Sequence, residues 1–333
     1  MKVLTDISVT SRGKSRQHPP AVPPPDPVHY DFTAGLPPEF SFTRASSGTR
    51  FGLSGALETV LADQPRIDYD PNTSLSRGML AETSGINSLI HSRDLTQVNW
   101  TGSADVVRDE VGIDGVANTA CTAEDAGGAG ESVLQNVTIA NDSAVHVVSA
   151  YFKKTVGAVT FPAIRTDLRD GASKIDLLIV DTNAGTVVFD ALRNQTGAGQ
   201  GIEDVGAWWR VWYNITNNNS GNTTLRLQIL PSASGDGVTY GGSHRGVCIV
   251  DGCQVELNQS VPSSVIATST VAVSRAQDAP VHLLSIGNRD VLITYDDGST
   301  ETLHNEAIVS GWWPTLSRPR VQAMDLLAVG SLP

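Results

Sequence analysis

Three consecutive stretches near the start decide the fold of this chain: SFTRASSGTRFGLSGALETV (41–60), QPRIDYDPNT (64–73) and SRGMLAETSGINSLIHSRDLTQVNW (76–100). In the second stretch Ile67 and Tyr69 alternate with charged residues, which is the two-residue period of a half-buried strand. Glycines and an Asp-Pro-Asn triplet interrupt the pattern, and these residues favour tight turns. The segment therefore predicts short β-strands joined by turns.

The pattern from about residue 96 to 280 is also that of a β protein. Asp176–Val180 and Thr186–Phe189 are predicted to be two strands that pair across a turn at Asp181–Gly185. No long stretch keeps the 3.6-residue period of a helix, so we expect little helix. Strands that recur with turn clusters between them predict a β-sandwich. The further predicted strands are Val145–Val148, Trp208–Tyr213, Leu225–Leu230 and Gly246–Val250.

Four short motifs in this region follow the order found in one known family. They are VVSAYFKK (147–154), AWWRV (207–211), VDGCQVEL (250–257) and VPSSVIATSTVAVSRAQD (261–278). Together with the opening stretches, they resemble a module of structural proteins of tailed bacteriophages and related particles. The resemblance implies a lectin-like sandwich similar to carbohydrate-binding jelly rolls. The chain departs from the family at Val265, where tyrosine more often precedes the isoleucine, so an aromatic contact is not carried over to that position.

The sequence divides into four predicted segments of an all-β chain. These are an extended, Pro-rich N-terminal anchoring arm (1–40), a small β adaptor (41–95), a jelly-roll-like β-sandwich (96–280) and a short C-terminal β-hairpin element (281–333). The arm contains PPAVPPPDP (19–27), which lacks backbone donors and favours an extended polyproline-like backbone. In the last segment Asp297-Gly298 predicts a two-residue type I′ hairpin turn.

Charge and composition exclude several classes of function. The 333 residues carry a formal net charge of −12, which argues against nucleic-acid binding. No stretch resembles a signal peptide or approaches the ~20 apolar residues of a membrane span, so we expect a soluble protein without membrane insertion. Cys121, Cys248 and Cys253 lack metal-like spacing and are predicted to be buried thiols. The last two face opposite sides if one strand carries both.

The sequence contains no motif for catalysis or cofactor binding, and we predict a non-enzyme with no cofactor and no metal site. The seven histidines are scattered, no serine lies in a nucleophile elbow, and no glycine-rich nucleotide loop is present. Asp68 and Asp70 share one face of a predicted strand. That pair suits either a Ca²⁺ site or ion pairs with Arg44 or Arg66.

One predicted strand, WWRVWY, supplies the candidate binding residues. Trp208, Arg210 and Trp212 fall on one of its faces, with Trp209 and Tyr213 on the other. A tryptophan exposed on a sheet can stack on a sugar ring, so the first three are the candidate glycan-binding residues. The alternative is burial in the core, since an aromatic side chain buries about 150–250 Å². Because both faces are aromatic, we expect the one outside the core to lie at an oligomer contact.

Taken with the resemblance, these features predict a virion structural protein, a fibre or spike component on the tail, baseplate or head. Its expected partners are other virion proteins through the N-terminal arm, further copies of itself, with a trimer favoured, and host-surface glycans. Neither nucleic acid nor a membrane is expected as a partner. Two alternatives stay open: a stand-alone carbohydrate-binding protein and a glycan depolymerase.

Overall fold

The computed structural model describes residues 26–128, 130–155 and 161–332, and within these ranges the chain forms strands and turns but no helix. The all-β fold class predicted from the sequence is therefore confirmed. Most of the predicted arm, residues 1–25, lies outside the described residues.

The described residues form 24 strands, numbered here in chain order. The first twelve are β1 (Val28–Asp31), β2 (Phe40–Thr43), β3 (Gly48–Phe51), β4 (Leu57–Val60), β5 (Arg66–Tyr69), β6 (Ser76–Leu80), β7 (Gly85–Asn87), β8 (Thr101–Gly102), β9 (Asp105–Glu110), β10 (Ala120–Asp125), β11 (Val133–Thr138) and β12 (Val145–Lys153). The others are β13 (Ala163–Arg169), β14 (Lys174–Asp181), β15 (Thr186–Asn194), β16 (Gln200–Val205), β17 (Trp208–Thr216), β18 (Thr224–Leu230), β19 (Gly246–Glu256), β20 (Val273–Arg275), β21 (Ala279–His282), β22 (Gly287–Tyr295), β23 (Thr300–Ile308) and β24 (Arg320–Leu327).

Two antiparallel sheets pack face to face to form the sandwich. The near sheet has the order β16-β17-β12-β19-β10-β9, with β7 added beside β19 and β20 beside β7. The far sheet has the order β15-β14-β13-β18-β11-β8. The alternating apolar residues of both sheets meet in one buried core, which includes Phe152, Leu178, Val211 and Ile229. Burial of this apolar surface is the main force that holds the two sheets together.

The core also contains a polar group that the packing satisfies. Tyr213 is fully buried, and its hydroxyl donates to Thr166 Oγ1 at 2.9 Å. The ring of Phe189 meets it edge to face, with ring centroids 5.3 Å apart. A buried tyrosine needs such a hydrogen-bond partner because an unpaired hydroxyl in the core costs free energy.

A β-bulge at Gly252 changes which side chains of β19 face the core. Ser149 pairs with Gln254 and Tyr151 with Asp251, so β19 advances three residues where β12 advances two. Gly252 has a φ of +57°, a conformation that glycine adopts readily. The extra residue reverses the alternation, and Cys248 and Cys253 both face the sandwich core. The expectation that they face opposite sides is therefore wrong.

Two predicted hairpins form, one of them with a different turn. Strands β14 and β15 pair as expected, with Leu178 opposite Phe189. Strands β22 and β23 also pair, but only Gly298 of the predicted turn has positive φ, whereas a type I′ turn needs two such residues. The Gly298 N–H bonds Tyr295 O and the Tyr295 N–H bonds Ser299 O, which is a three-residue loop with a left-handed glycine. The type I′ prediction was wrong.

A second unit, called here the base module, consists of β1–β6 and β21–β24. Its main sheet has the order β23-β22-β24-β6-β5, with β1 beside β24, and β2–β21 and β3–β4 form two small ladders. Its buried core is rich in aromatic side chains; Phe40 packs edge to face on Tyr30 and Trp313, with centroids 5.0 and 5.8 Å apart. The module thus combines residues from the predicted arm, adaptor and C-terminal element. The predicted domain division stays a prediction, since shared hydrogen bonds do not show which segments fold alone.

The near sheet lies between the far sheet and the base module, so the protein has three layers. The outward face of the near sheet contributes Tyr151 and Trp208, and the module covers them with Phe51 and Leu57. The chain passes from the module to the sandwich after Leu80 and returns between β20 and β21. These two crossings meet at one junction, where the backbone N–H of Glu82 donates to Asp278.

Candidate functional site

The candidate glycan-binding residues lie on the face of the near sheet that the module covers. Trp208 and Arg210 are each only 5% exposed. The Arg210 guanidinium donates to the carbonyl of Ser263 and lies 5.6 Å from the ring centre of Tyr151. At these two residues, the face predicted to form an oligomer contact is covered by the chain itself.

Trp212 is the member of the candidate set that reaches solvent. It is half-buried, and its indole lies against the backbone of Gly201, where a Cβ would collide with it. Trp212 therefore keeps part of its side chain in solvent, whereas Trp208 and Arg210 are buried. Glycan binding at these three residues stays a prediction.

The other face of β17 packs against the core of the sandwich. Tyr213 lies in the sandwich core and Trp209 packs at its edge. The Trp209 Nε1–H donates to Thr182 O at 2.9 Å, and the Lys154 ammonium lies 4.1 Å from the indole centre. The two aromatic faces of this strand therefore serve two interfaces, one between the sheets and one under the module.

The junction between module and sandwich is held by a buried ionic network. Asp278 accepts hydrogen bonds from Arg44 Nη1 at 3.0 Å, from Arg66 Nη2, and from the backbone N–H of Glu82 at 2.9 Å. Arg275 lies 3.6 Å from the same carboxylate. The side chains of Asp278, Arg44 and Arg66 are fully buried. The network links the outgoing crossing at Glu82 to the returning crossing at Asp278.

Glu82 is the second carboxylate of this network. It bonds Arg66 at 2.7 Å and accepts the backbone N–H of Ser264 at 2.8 Å and its hydroxyl at 2.7 Å. Burial by itself raises the pKa of Glu82, but the charges of Arg66 and Arg275 outweigh it and lower that pKa to about 2. Glu82 is therefore an ionised structural group and not a proton donor at neutral pH.

The ion pairs predicted for Asp68 and Asp70 form with other arginines. Asp68 bonds Arg320 at 2.7 Å, and Asp70 bonds Arg77 at 3.1 Å. Arg44 and Arg66, the predicted partners, bind Asp278 instead. Across the described ranges, no cluster of three or more His, Cys, Asp or Glu side chains is arranged to hold a metal ion.

Glu256 is a buried carboxylate with a raised pKa. Burial raises its pKa, in spite of hydrogen bonds from Ser263 and Gln254. It is 0% exposed, however, and Ser263 and Gln254 occupy its oxygens. The group has no access to a substrate in this arrangement, and its contacts fasten residue 263 to β19.

A groove between the module and the near sheet was not foreseen from the sequence. It encloses about 410 Å³, and Phe51, Val111, Ile113 and Trp208 line it together with Lys153. Its walls come from segments up to about 150 residues apart in the chain, so no local motif announces it. An apolar wall with one charged group at its rim is the usual composition of a small-ligand cleft.

Comparison with known proteins finds partial likenesses among solved structures. No protein-family model and no curated protein matches the chain. The CBM22-1 xylan-binding domain of Paenibacillus barcinonensis Xyn10C is 17% identical with a TM-score of 0.33, and the match covers 54% of this chain and all of that one.

The enzymatically active domain of bacteriophage CBA120 tailspike protein 4 is 13% identical with a TM-score of 0.28, and the match covers 52% of this chain and 21% of that one. An exo-beta-agarase is 13% identical with a TM-score of 0.28, and the match covers 54% and 25% of the two chains. The present chain therefore spans about a fifth to a quarter of those two proteins. The sandwich assignment rests on the strands and core described above.

No helix among the described residues is long and apolar enough to cross a membrane.

Proposed function

We propose that this chain is a non-catalytic attachment component of a tailed-phage or phage-like particle. In this proposal the base module and the N-terminal arm bind the parent particle, and the sandwich recognises glycans on a host surface. The family resemblance of the sequence motifs suggests the particle. The three-layer arrangement divides the two tasks between opposite ends of the molecule.

The observation that carries the proposal is an apolar surface at the end of the module away from the junction. Leu283, Leu284 and Val309 are 45%, 53% and 51% exposed there. Val28 pairs with Leu326 at the same end of the sheet, so the N-terminal arm is connected beside this surface. Exposed apolar residues that lie together are typical of a protein contact.

The proposed anchoring can be tested by incorporation into particles. Cells that produce the particle would be complemented with the full chain, a chain lacking residues 2–25, or Leu283→Asp/Leu284→Asp. We expect particles purified from the two altered strains to contain at most about a tenth of the normal amount of the protein. The deletion removes the proposed anchor, and the two aspartates would place unpaired charges in an apolar contact. Immunoblotting of the particles measures this, and immunogold electron microscopy locates the protein.

The matched control is Val261→Asp/Val271→Asp, which adds two charges at valines that are 59% and 62% exposed in the loop between β19 and β20 of the sandwich. This variant should be incorporated like the unaltered chain. Normal incorporation of the arm deletion and of the double aspartate variant would refute anchoring through this end. Absence of the unaltered protein from particles, with glycan binding retained, would favour the stand-alone carbohydrate-binding protein.

The proposed absence of catalysis has its own test. Purified protein is incubated with the host's surface polysaccharide, and the reducing ends are measured over time. We expect no increase above the buffer control. A rise that a single Asp or Glu substitution abolishes would establish a glycan depolymerase instead.

A further inference from the structure

The outward face of the far sheet turns away from the base module. Its part around Leu177, Ile179 and Leu230 is apolar and packs against Ala233, and the part considered below is polar. In β13 Ile164 and Leu168 face the core, so Arg165, Asp167 and Arg169 project from the opposite face. Across the residues that the structure describes, neither the near sheet nor the module packs against these three side chains.

The single carboxylate in the middle of this face is already fully bonded. Asp167 Oδ1 accepts Arg165 Nε at 2.8 Å, and Oδ2 accepts Arg165 Nη2 at 3.3 Å and Gln228 Nε2 at 2.8 Å. Asp167 is 7% exposed and Gln228 is equally buried. The carboxylate is therefore committed to Arg165 and Gln228.

Two neighbouring arginines are left without an acidic partner. Arg226 lies opposite Asp167 in the β13–β18 ladder, and Arg169 lies opposite Thr224 two residues along. Arg226 uses Nε to bond Asn136 Oδ1 at 3.1 Å. In the described part of the chain, neither Arg226 nor Arg169 makes an ion pair. Both side chains are half-buried, and their Nη donors have no acidic partner there.

The two guanidinium groups are close enough to repel each other. Burial is the main cause that lowers the pKa of Arg226, and the charge of Arg169 lowers it further. Diagonal residues on adjacent strands lie about 7–8 Å apart, which long side chains can bridge. An anion bound between the two arginines would relieve this repulsion.

The local charge is opposite to that of the molecule. Three arginines (165, 169 and 226) stand against two aspartates (167 and 170), a surplus of one positive charge on a chain of net charge −12. Asp170 is itself engaged, because its Oδ2 accepts the Thr223 hydroxyl at 3.1 Å. A positive surface on an acidic protein is selective for anionic ligands that the rest of the molecule repels.

We propose that Arg169 and Arg226 bind the carboxylates of an acidic polysaccharide on the outward face of the far sheet. This inference rests on the proposed glycan recognition and specifies its ligand as a polymer containing uronic acid. A guanidinium offers paired donors that match a carboxylate, and it is less strongly hydrated than an ammonium.

The test compares polygalacturonate with its methyl ester, which has the same backbone without the charge. Binding of the full chain is measured by isothermal titration calorimetry at low salt. We expect binding to polygalacturonate and at least about tenfold weaker binding to the ester, since charge-assisted hydrogen bonds are lost. Arg169→Ala/Arg226→Ala should lower the affinity for polygalacturonate about tenfold or more.

The matched control is Arg245→Ala/Arg289→Ala, which removes the same number of charges from two arginines that likewise lack an ion pair among the described residues. It should change the affinity less than about twofold, because charges elsewhere on the surface are screened. Circular dichroism checks that each variant is folded.

Two results would overturn the inference. One is equal binding of polygalacturonate and its ester, and the other is unchanged binding by Arg169→Ala/Arg226→Ala. Tighter binding of single-stranded DNA than of polygalacturonate would also overturn it in favour of nucleic acid. Incorporation into particles is measured separately, so a failure here with normal incorporation removes only the acidic ligand and leaves the proposed attachment role.

Discussion

Replacing Asp278 by alanine is expected to lower the free energy of unfolding by about 3–5 kcal/mol. The carboxylate bonds Arg44 at 3.0 Å and also Arg66, and Arg275 lies 3.6 Å away. Its removal leaves Arg66 and Arg275 with Glu82 as their acidic partner, and it leaves Arg44, among the described residues, with backbone carbonyls alone as acceptors. The cost is high because a buried charge that loses its partner keeps its desolvation penalty.

The loss would be a large fraction of the stability of a typical domain, which is about 5–15 kcal/mol. It should appear in urea unfolding as a lower midpoint, followed by tryptophan fluorescence and far-ultraviolet circular dichroism. Asp278→Asn keeps the shape and some hydrogen bonds, so it should destabilise less. Arg318→Ala removes ion pairs with Asp296 and Asp297 from an arginine that is 43% exposed, and it should leave the midpoint nearly unchanged.

Two outcomes would refute the reasoning about the junction. A loss of less than about 1 kcal/mol for Asp278→Ala would mean that water reaches the arginines, as at an exposed pair. An equal loss for Arg318→Ala would mean that the cost of losing an ion pair does not depend on its burial. If tryptophan fluorescence and circular dichroism give different unfolding midpoints for Asp278→Ala, the module and the sandwich unfold separately in that variant.

Three further predictions follow from the buried groups. Glu82 has a lowered pKa, so it stabilises the fold above about pH 4.5 and this contribution is lost as the pH falls towards about 2; Glu82→Gln should flatten that part of a urea-unfolding series, and an unchanged pH profile would contradict it. Burial raises the pKa of Cys121 to about 11 and of Cys248 to about 12, so all three thiols, including Cys253, should be inert to Ellman's reagent until urea is added; any rapid reaction of the folded protein argues against the core assignment. Gly252→Ala forces a side chain into a positive-φ position with Tyr151 Cδ2 3.0 Å from its Cβ, and should cost about 1–3 kcal/mol in unfolding free energy, whereas a cost near zero would question the bulge.

The strands of the sandwich were predictable because their signals are local. The β14–β15 hairpin forms between two short apolar runs, and the turn between them in the sequence ends in Gly185. The bulge at Gly252 was not predictable, because an isolated glycine in an apolar run leaves the register undecided. Because of the extra residue, Cys253 faces the same side of the sheet as Cys248 and not the opposite side.

The base module was beyond the reach of local patterns. Strand β1 is four residues long and pairs with β24, almost 300 residues later in the chain. Ion pairs between arginines and Asp68 or Asp70 were predicted. Arg66 instead binds Asp278, which is 212 residues away in the chain. Trp208 and Arg210 are likewise buried by residues that are distant in the sequence. The alternation of β17 shows two faces, and it contains nothing that distinguishes a face under another layer from a face in solvent.

The pairing of β1 with β24 determines how the protein carries mechanical load. A pull on the arm away from the sandwich acts along the axis of β1, so the paired positions from Val28 to Asp31 are sheared together and do not open one at a time. Tension then passes into the sandwich through two covalent crossings in parallel, which Asp278 and Glu82 fasten to each other. In the attachment role proposed above, this arrangement would resist extraction of the protein from the particle while the sandwich is bound to a host surface.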